Sequence, residues 1–291
     1  PINAGAVIID EISMADIQLL SALLKAIKPG TKIILIGDSD QLPPVGAGDC
    51  LRDILNSGVF SSVRLDTIFR QASNSLIVEN AHLINNGKMP ILNVKNKDFF
   101  FMARKTGSET AAVCADLCMK RLPKAYGYDP CADIQIISPT RKGETGTVQL
   151  NKLIQSLLNP PSAEKHERII KDAVFRTGDK VMQIKNDYSQ EWKDRRGFSG
   201  EGVYNGDIGI ITEIDLKNEK FTVEFDDKIS EYDFSQTDEI EHAFAVTVHK
   251  SQGSEYPCVI IPLADAPYGL LTRNMLYTAV TRARQMVILV G

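Results

Sequence analysis

Short, uninterrupted apolar runs alternate with stretches of helical spacing over most of this chain, and few architectures accept that alternation. Ala6–Ile9, residues 33–36 and the segment holding Val63 and Leu65 are too short for helices and too continuous for strands with one wet face. Between them Ile17, Leu20, Leu23, Leu24 and Ile27 recur at helical spacing, as do Leu51, Ile54 and Leu55. Strands buried on both faces with helices packed over them are the expected result, which means parallel α/β sheets. The pattern resumes with helices over 76–84, 109–122 and 148–158 and a strand over 134–137. It returns with strands over 244–248, 259–261 and 287–290 and a helix over 275–284.

Between about Asp172 and Asp238 the period changes to two. Residues 181–184, 208–214 and 221–225 read as antiparallel strands, with Phe221, Val223 and Phe225 sharing an inward face. Asn205-Gly206-Asp207 is tight-turn chemistry. The segment predicts a small β-barrel inserted into the second α/β unit. Residues 187–203, with Trp192, Lys193, Arg195 and Arg196, are expected to be a long mobile loop, with Trp192 exposed. Phe99, Phe100 and Phe101 are expected in a buried strand.

Bulk properties exclude some classes. No apolar run is long enough to span a bilayer, and the start has no basic, apolar leader pattern. The five cysteines are odd in number and scattered, and Cys114 and Cys118 have no second ligand pair, which argues for reduced thiols in a cytoplasmic protein over structural zinc. A net charge of −4 does not advertise a polyanion partner, although a local groove of donors on an acidic body suffices for one.

The chemistry sits at the strand ends. Val7-Ile8-Ile9 runs into Asp10-Glu11, placing two carboxylates at the carboxyl edge of a parallel sheet, where α/β folds bind ligands. In nucleotide hydrolases the first such carboxylate holds magnesium and the second orients the attacking water. The next strand runs into Gly37-Asp38-Ser39-Asp40-Gln41-Leu42-Pro43-Pro44, whose Gln41 can reach a terminal phosphate. Thr247, His249, Lys250, Ser251 and Gln252 gather donors and acceptors after a buried strand. In the helix expected over 275–284, Arg282 and Arg284 flank an apolar face of Leu276, Ala279, Val280 and Ala283.

The strings IIDEISM, GDSDQLPPVGAG, FRQ, TVHKSQGSEY and LYTAVTRAR occur in this order. Together they resemble motifs II to VI of superfamily 1 helicases, specifically the RecD/TraA-like branch. The segment RTGDKVMQIKNDY through GVYNGDIGIITEI resembles that branch's SH3-like insertion, so the likeness covers essentially the whole chain. It implies RecA-like parallel sheets of the P-loop NTPase helicase architecture, the first domain partial, with an inserted SH3-like β-barrel. The implied division is 1–65 for the first domain, 66–171 and 241–291 for the second, and 172–240 for the insertion.

The resemblance also assigns roles. Asp10 is the magnesium ligand and Glu11 the catalytic base. Gln41 couples the γ-phosphate to the DNA site, and Arg70 and Arg282 are arginine fingers, the TRAR string selecting Arg282 over Arg284. Asp38, Gly253 and Glu255 lie by the nucleotide. Pro43, Thr140, Arg141, Thr247, His249, Lys250 and Ser251 line the path of single-stranded DNA. ATP and Mg2+ are the implied cofactors. Single-stranded DNA, the N-terminal remainder of the protein and exodeoxyribonuclease V-type subunits are the implied partners, with no membrane. A non-hydrolysing binding module and an RNA helicase of the same superfamily stay open at this point.

No G-x-x-x-x-G-K-[ST] string occurs in the 291 residues, so the loop that cradles β- and γ-phosphates is missing from them. A chain starting at the edge of a strand, nine residues before Asp10, is expected to be a truncated piece, inactive alone as an ATPase. Residues 33–36 are then expected to have an unpaired apolar edge.

Overall fold

The computed structural model describes residues 1–65, 75–94, 97–170 and 173–291. The first unit is small. Strands β1 (Ala6–Ile9) and β2 (Lys32–Leu35) pair in parallel, Ala6 opposite Lys32 and Ile9 opposite Leu35. A 3-10 turn and helix α1 (Ile17–Ala26) cross between them, and the Asp16 carboxylate caps the helix by accepting the Leu19 N–H at 2.8 Å. Helix α2 (Cys50–Ser57) follows and ends on Gly58 in the left-handed region, where a missing Cβ avoids strain. Ile12, Ala15, Leu20, Cys50 and Leu51 make its core.

That core covers one side only. Ile8, Ile33, Ile34 and Ile36 are exposed, in keeping with the expected apolar strand edge. The Val63 and Leu65 segment is not a strand: both side chains are 89% exposed, and no described strand lies alongside to pair with it.

The second unit is a five-stranded parallel sheet. Helix α3 (Leu76–Asn85) leads to β3 (Phe99–Met102), then to α4 (Gly107–Asp116), a π-helical turn, and α5 (Leu122–Tyr126), which stops at left-handed Gly127. Strand β4 (Ile134–Ser138) and helix α6 (Thr147–Leu158) come next. The chain then leaves through the hairpin β5 (Glu167–Ile170) and β6 (Ala173–Arg176). It enters the insertion: β7 (Lys180–Gln183), β8 (Asp187–Asp194), β9 (Ser199–Val203), β10 (Ile208–Asp215), β11 (Lys220–Phe225), β12 (Lys228–Asp233) and β13 (Ile240–His242). It returns through β14 (Ala245–Thr247), β15 (Tyr256–Pro262), α7 (Arg273–Val280) and β16 (Ala283–Val290). The sheet order β14-β4-β15-β16-β3 makes the strands on either side of the insertion hydrogen-bonded neighbours. Apolar clusters line both faces, Phe99 with Ile137, Val259 and Leu289 on one, and Ile134, Ile136, Leu150 and Ile260 on the other.

The helix expected over 275–284 ends at Val280. A continuous buried run from Met286 to Val290 pulls the chain into β16 from Ala283 onward, leaving Arg282 in the connecting turn and Arg284 on the strand.

The insertion is a seven-stranded sheet in the order β13-β7-β10-β11-β12-β8-β9. Phe221, Val223 and Phe225 face its core beside Tyr232, as the alternation requires. Its end strands β9 and β13 do not pair among the described residues, so hydrogen bonding leaves it open where a closed barrel was expected. It curls enough for the Tyr232 hydroxyl on β12 to donate to Gln183 Oε1 on β7 at 3.0 Å. The turn at Asn205-Gly206 forms as expected, the Asp207 N–H donating to Tyr204 O at 3.0 Å with Gly206 at φ 103°. Residues 187–203 are not a loop but the hairpin β8–β9, reversing at Gly197. Trp192 is half-buried there, its ring lying so close to Gly200 that a Cβ at that position would sit 2.5 Å away.

Buried polar groups fasten the insertion to α6. Asp179, fully buried, accepts from Gln155 of α6 and from Asn159, which caps that helix, and pairs with His242 at 3.1 Å. Next to it Lys180 is buried with its Nζ on Ile134 O at 3.2 Å, and burial lowers its pKa from 10.5 to about 8. Below about pH 8 both folded and unfolded chains hold this proton, and the penalty of a buried charge is present in full. Between about 8 and 10.5 the unfolded chain holds more protons, so this group makes stability rise with pH. Buried Cys114, Cys118 and Cys258, whose pKa values burial raises to about 12, act in the opposite direction, so the test is the difference. Urea unfolding is expected to show the stability of the wild type rising relative to Lys180→Met between about pH 8 and 10.5.

Candidate functional site: the crevice between the two α/β units

Strand β1 delivers Asp10, exposed, and Glu11, half-buried, to the carboxyl edge of the first sheet. Glu11 adopts φ 52°, ψ 36°, a left-handed conformation that non-glycine residues rarely hold without outside support. Support comes from both sides. The Glu11 N–H donates to Asp10 Oδ1 at 2.8 Å, and the Ile12 N–H donates to Ile36 O at 3.0 Å, clamping the turn to the end of β2.

The loop after β2 is stitched to the second unit. The Leu42 N–H donates to Thr278 Oγ1 at 2.8 Å, and Gln252 Nε2 donates to Leu42 O at 3.3 Å. Asn274 Nδ2 donates to Gln41 O at 3.1 Å. The Tyr277 hydroxyl donates to Asp38 Oδ2 at 2.9 Å; burial, with Asp38 adding to it, raises the pKa of Tyr277, so the phenol remains a donor. Leu42 joins the apolar core of the second unit. Gln41 is buried, and its Oε1 has no hydrogen-bond partner among the described residues. Asp40 is held by Asn85 of α3 at 2.7 Å, while Pro43 is exposed.

Arg282 lies in the same crevice, 6% exposed. Its guanidinium donates to Thr278 O, Ser254 O and Thr281 Oγ1 at 3.2 to 3.3 Å and makes no ion pair among the described residues. Burial lowers its pKa, opposed by the charges of Glu11, Glu255 and Asp38. Arg284 is exposed and spends its Nε on Glu255 Oε2 at 3.1 Å. The sequence motifs thus bring Glu11, Asp38, Gln41, Glu255 and Arg282 to one place. Gly253 borders it, exposed at φ 77°. Arg70 lies outside the described residues.

A second cluster forms at the ends of β4 and β14. Arg141 Nη2 reaches Glu241 Oε1 at 3.1 Å, and Lys250 Nζ reaches Glu241 Oε2 at 2.7 Å. Burial works to raise the Glu241 pKa, and Lys250 and Arg141 outweigh it, holding the carboxyl below its ordinary range. His249 is exposed and Thr247 half-buried. Thr140 and Ser251 are buried and turned inward: the Thr140 hydroxyl donates to Lys142 O, and the Ser251 hydroxyl donates to Val248 O. Both hold the shape of their loops.

Motif reading passed over Asn274, Tyr277, Thr278 and Glu241. Tyr277 and Thr278 lie inside LYTAVTRAR, where helical periodicity already marked a face. Glu241 carried no signal, because it lies outside every motif and one of its two partners, Arg141, is a hundred residues away in sequence.

Three segments match known families: residues 3–101 an AAA domain, 150–225 the SH3 domain of ATP-dependent RecD-like DNA helicases, and 242–290 the UvrD-like helicase C-terminal domain. The ATP-dependent RecD2 DNA helicase of Deinococcus radiodurans is 33% identical over 284 residues, covering 98% of this chain and 36% of its own length. The RecBCD enzyme subunit RecD of Mycobacterium tuberculosis is 27% identical, covering 99% of this chain and 49% of its own length. This chain therefore spans between a third and a half of those relatives. Among solved structures, the Bacteroides Pif1 helicase in complex with ADP-AlF3 and single-stranded DNA shares the fold, with a TM-score of 0.56 at 20% identity over 98% of this chain and 70% of its own. With the SH3 domain of RecD-like helicases matched between the AAA and UvrD-like C-terminal segments, and RecD2 and RecD relatives aligned over 98% or more of it, the chain belongs to the RecD-like helicases.

Proposed function

We propose that this chain carries the catalytic half-site and the strand-binding loops of an ATP-dependent DNA helicase that moves 5′ to 3′ along single-stranded DNA. The observation that supports this best is Arg282: a buried guanidinium between the two units, without an ion pair among the described residues, close to Glu11 and Asp38 of the opposite wall and to Glu255 of its own. A group like that is kept charged by long-range acids while its planar fork remains available to a phosphate.

The donor set fits a magnesium nucleotide. Carboxylates at Glu11, Asp38 and Glu255 lie near one guanidinium, with exposed Asp10 next to Glu11, and Gln41 presents a buried acceptor with no partner among the described residues. Among the described residues no ready-made cluster of three metal-ligating side chains exists, which suits a cation that arrives with its phosphates. Asp10 would hold Mg2+, which when bound neutralises phosphate charge. Glu11 takes the proton of the attacking water, Gln41 senses the terminal phosphate, and Arg282 with Arg70 stabilises the charge that develops on it. Asp38 orients the Gln41 loop through Tyr277, and Gly253 and Glu255 border the nucleotide. Pro43, Arg141, Thr247, His249 and Lys250 face the strand, with Thr140 and Ser251 shaping their loops.

The division 1–65, 66–171, 172–240 and 241–291 follows from this assignment. The exposed isoleucines of β1 and β2 are where the N-terminal remainder of the domain packs. Association with subunits of the exodeoxyribonuclease V kind is proposed from the RecD relative. A cytoplasmic location agrees with five free cysteines and with the absence, among the described residues, of a helix long and apolar enough to cross a membrane.

Two outcomes test this. In the full-length gene product Arg282→Ala is expected to lower DNA-stimulated ATP hydrolysis by about 10³-fold or more, the usual worth of an arginine finger, while strand affinity stays near wild type. Arg284→Ala is expected to be mild, and the reverse order would move the role to Arg284. The 291-residue chain alone is expected to show no DNA-stimulated ATPase activity, since it contains no phosphate-cradling loop. Turnover abolished by Glu11→Gln in a clean preparation would overturn that.

A further inference from the structure

Glu241 belongs to none of the helicase motifs, yet it holds two of the cations that the strand-facing loops offer, Arg141 and Lys250. Each of its carboxylate oxygens takes one: Oε1 the Arg141 guanidinium at 3.1 Å, Oε2 the Lys250 ammonium at 2.7 Å. The three residues arrive from three elements, the loop after β4, the 3-10 turn after β14, and β13 at the edge of the insertion. All remain open to solvent, with 59% of the Arg141 side chain, 26% of Lys250 and 36% of Glu241 exposed. Ion pairs this exposed are weak enough to exchange partners. A carboxylate in such a fork presents the same acceptors to the same donors as a phosphodiester does.

We propose that Glu241 competes with a backbone phosphate of the single strand for Arg141 and Lys250, moderating the grip on DNA to a level from which a motor can step. This rests on the strand-binding role proposed for the two loops. With Glu241 in place the trio carries one net positive charge, two cations less one carboxylate. Without it, both cations are free to neutralise phosphates. Each additional phosphate neutralised on a single strand steepens the dependence of log affinity on log salt by about 0.7. A carboxylate that merely positioned the two cations would have the opposite signature, since its loss would loosen them and weaken binding.

The test uses the full-length gene product and a fluorescently labelled oligothymidylate, with anisotropy titrations over a salt series and thermal unfolding as the check on folding. Glu241→Gln is expected to bind several-fold tighter at low salt, with a slope steeper by about 0.7. Glu241→Asp, which keeps the charge, is expected to stay near wild type. In an Arg141→Ala/Lys250→Ala background, Glu241→Gln is expected to change nothing. Glu241→Ala is the second variant, with the same expectation, should glutamine disturb the loop. Tighter binding with an unaltered slope, or binding equal to or weaker than wild type in a folded variant, overturns the proposal. If Arg141→Ala and Lys250→Ala weaken binding while Glu241→Gln does not tighten it, only the Glu241 proposal falls. If those two alanine variants leave affinity and slope unchanged, the strand-binding role of the loops falls, and this proposal with it.

Discussion

The arrangement depends on a seam of hydrogen bonds between the loop after β2 and helix α7. Leu42 is buried in the second unit's core, so its N–H and C=O must find partners away from water, and Thr278 and Gln252 supply them. A buried backbone N–H left without an acceptor costs about 1–3 kcal/mol, comparable to a sizeable share of a domain's net stability. The seam therefore fixes one register of the loop against the helix. That register is what carries Asp38 to Tyr277 and puts the Glu11 wall opposite Arg282. An apolar contact alone would tolerate sliding; directional bonds to Asn274, Tyr277 and Thr278 along one face of α7 do not.

The insertion is attached by the same kind of chemistry. It leaves and re-enters the second unit between β4 and β14, which are neighbours in the sheet, so the parallel ladder closes as if nothing intervened. Asp179 at the exit and His242 at the return bind each other and α6, so both ends of the insertion are fixed at one point. Glu241 precedes His242 directly. Fixing His242 fixes the strand from which Glu241 reaches the loops bearing Arg141 and Lys250. The β-insertion thus reaches the strand-facing loops through a carboxylate whose position is set by a buried network.

Sequence reading recovered the features that depend on local periodicity. Buried β4, β15 and β16 read as continuous apolar runs, β11 as strict alternation, and the Asp10-Glu11 and Gln41 loops as strand ends. It failed where tertiary partners decide. Residues 187–203 are polar and glycine-rich, and nothing local announces that β8 gains a hairpin partner and that Trp192 packs on Gly200. Val63 and Leu65 carry strand-like residues but have no described strand to pair with. The end of α7 was placed four residues late because Ala283 fits a helical face as well as a strand start. The contacts of Tyr277 and Thr278 span more than 230 residues and have no sequence signature.

That misplaced helix end bears on which arginine does what. On a continuous helix, Arg282 and Arg284 would be two exposed cations flanking one apolar stripe, separable only by resemblance. The break at Val280 makes them physically different. Arg284, on a strand, faces solvent and is neutralised by Glu255, so an incoming anion would have to displace a carboxylate to reach it. Arg282, in the turn, gives its hydrogen bonds to two carbonyls and a hydroxyl, which orient a guanidinium without cancelling its charge. Burying such a cation is unfavourable unless other charges offset it, and here the offset comes from Glu11 and Asp38 across the crevice and from Glu255 on its own side. One of those acids, Glu11, is also the group proposed to take the proton of the attacking water. The seam that brings the two walls together therefore both offsets the burial of Arg282 and sets it facing the acids of the proposed nucleotide site, so a loosened seam would impair folding and catalysis together.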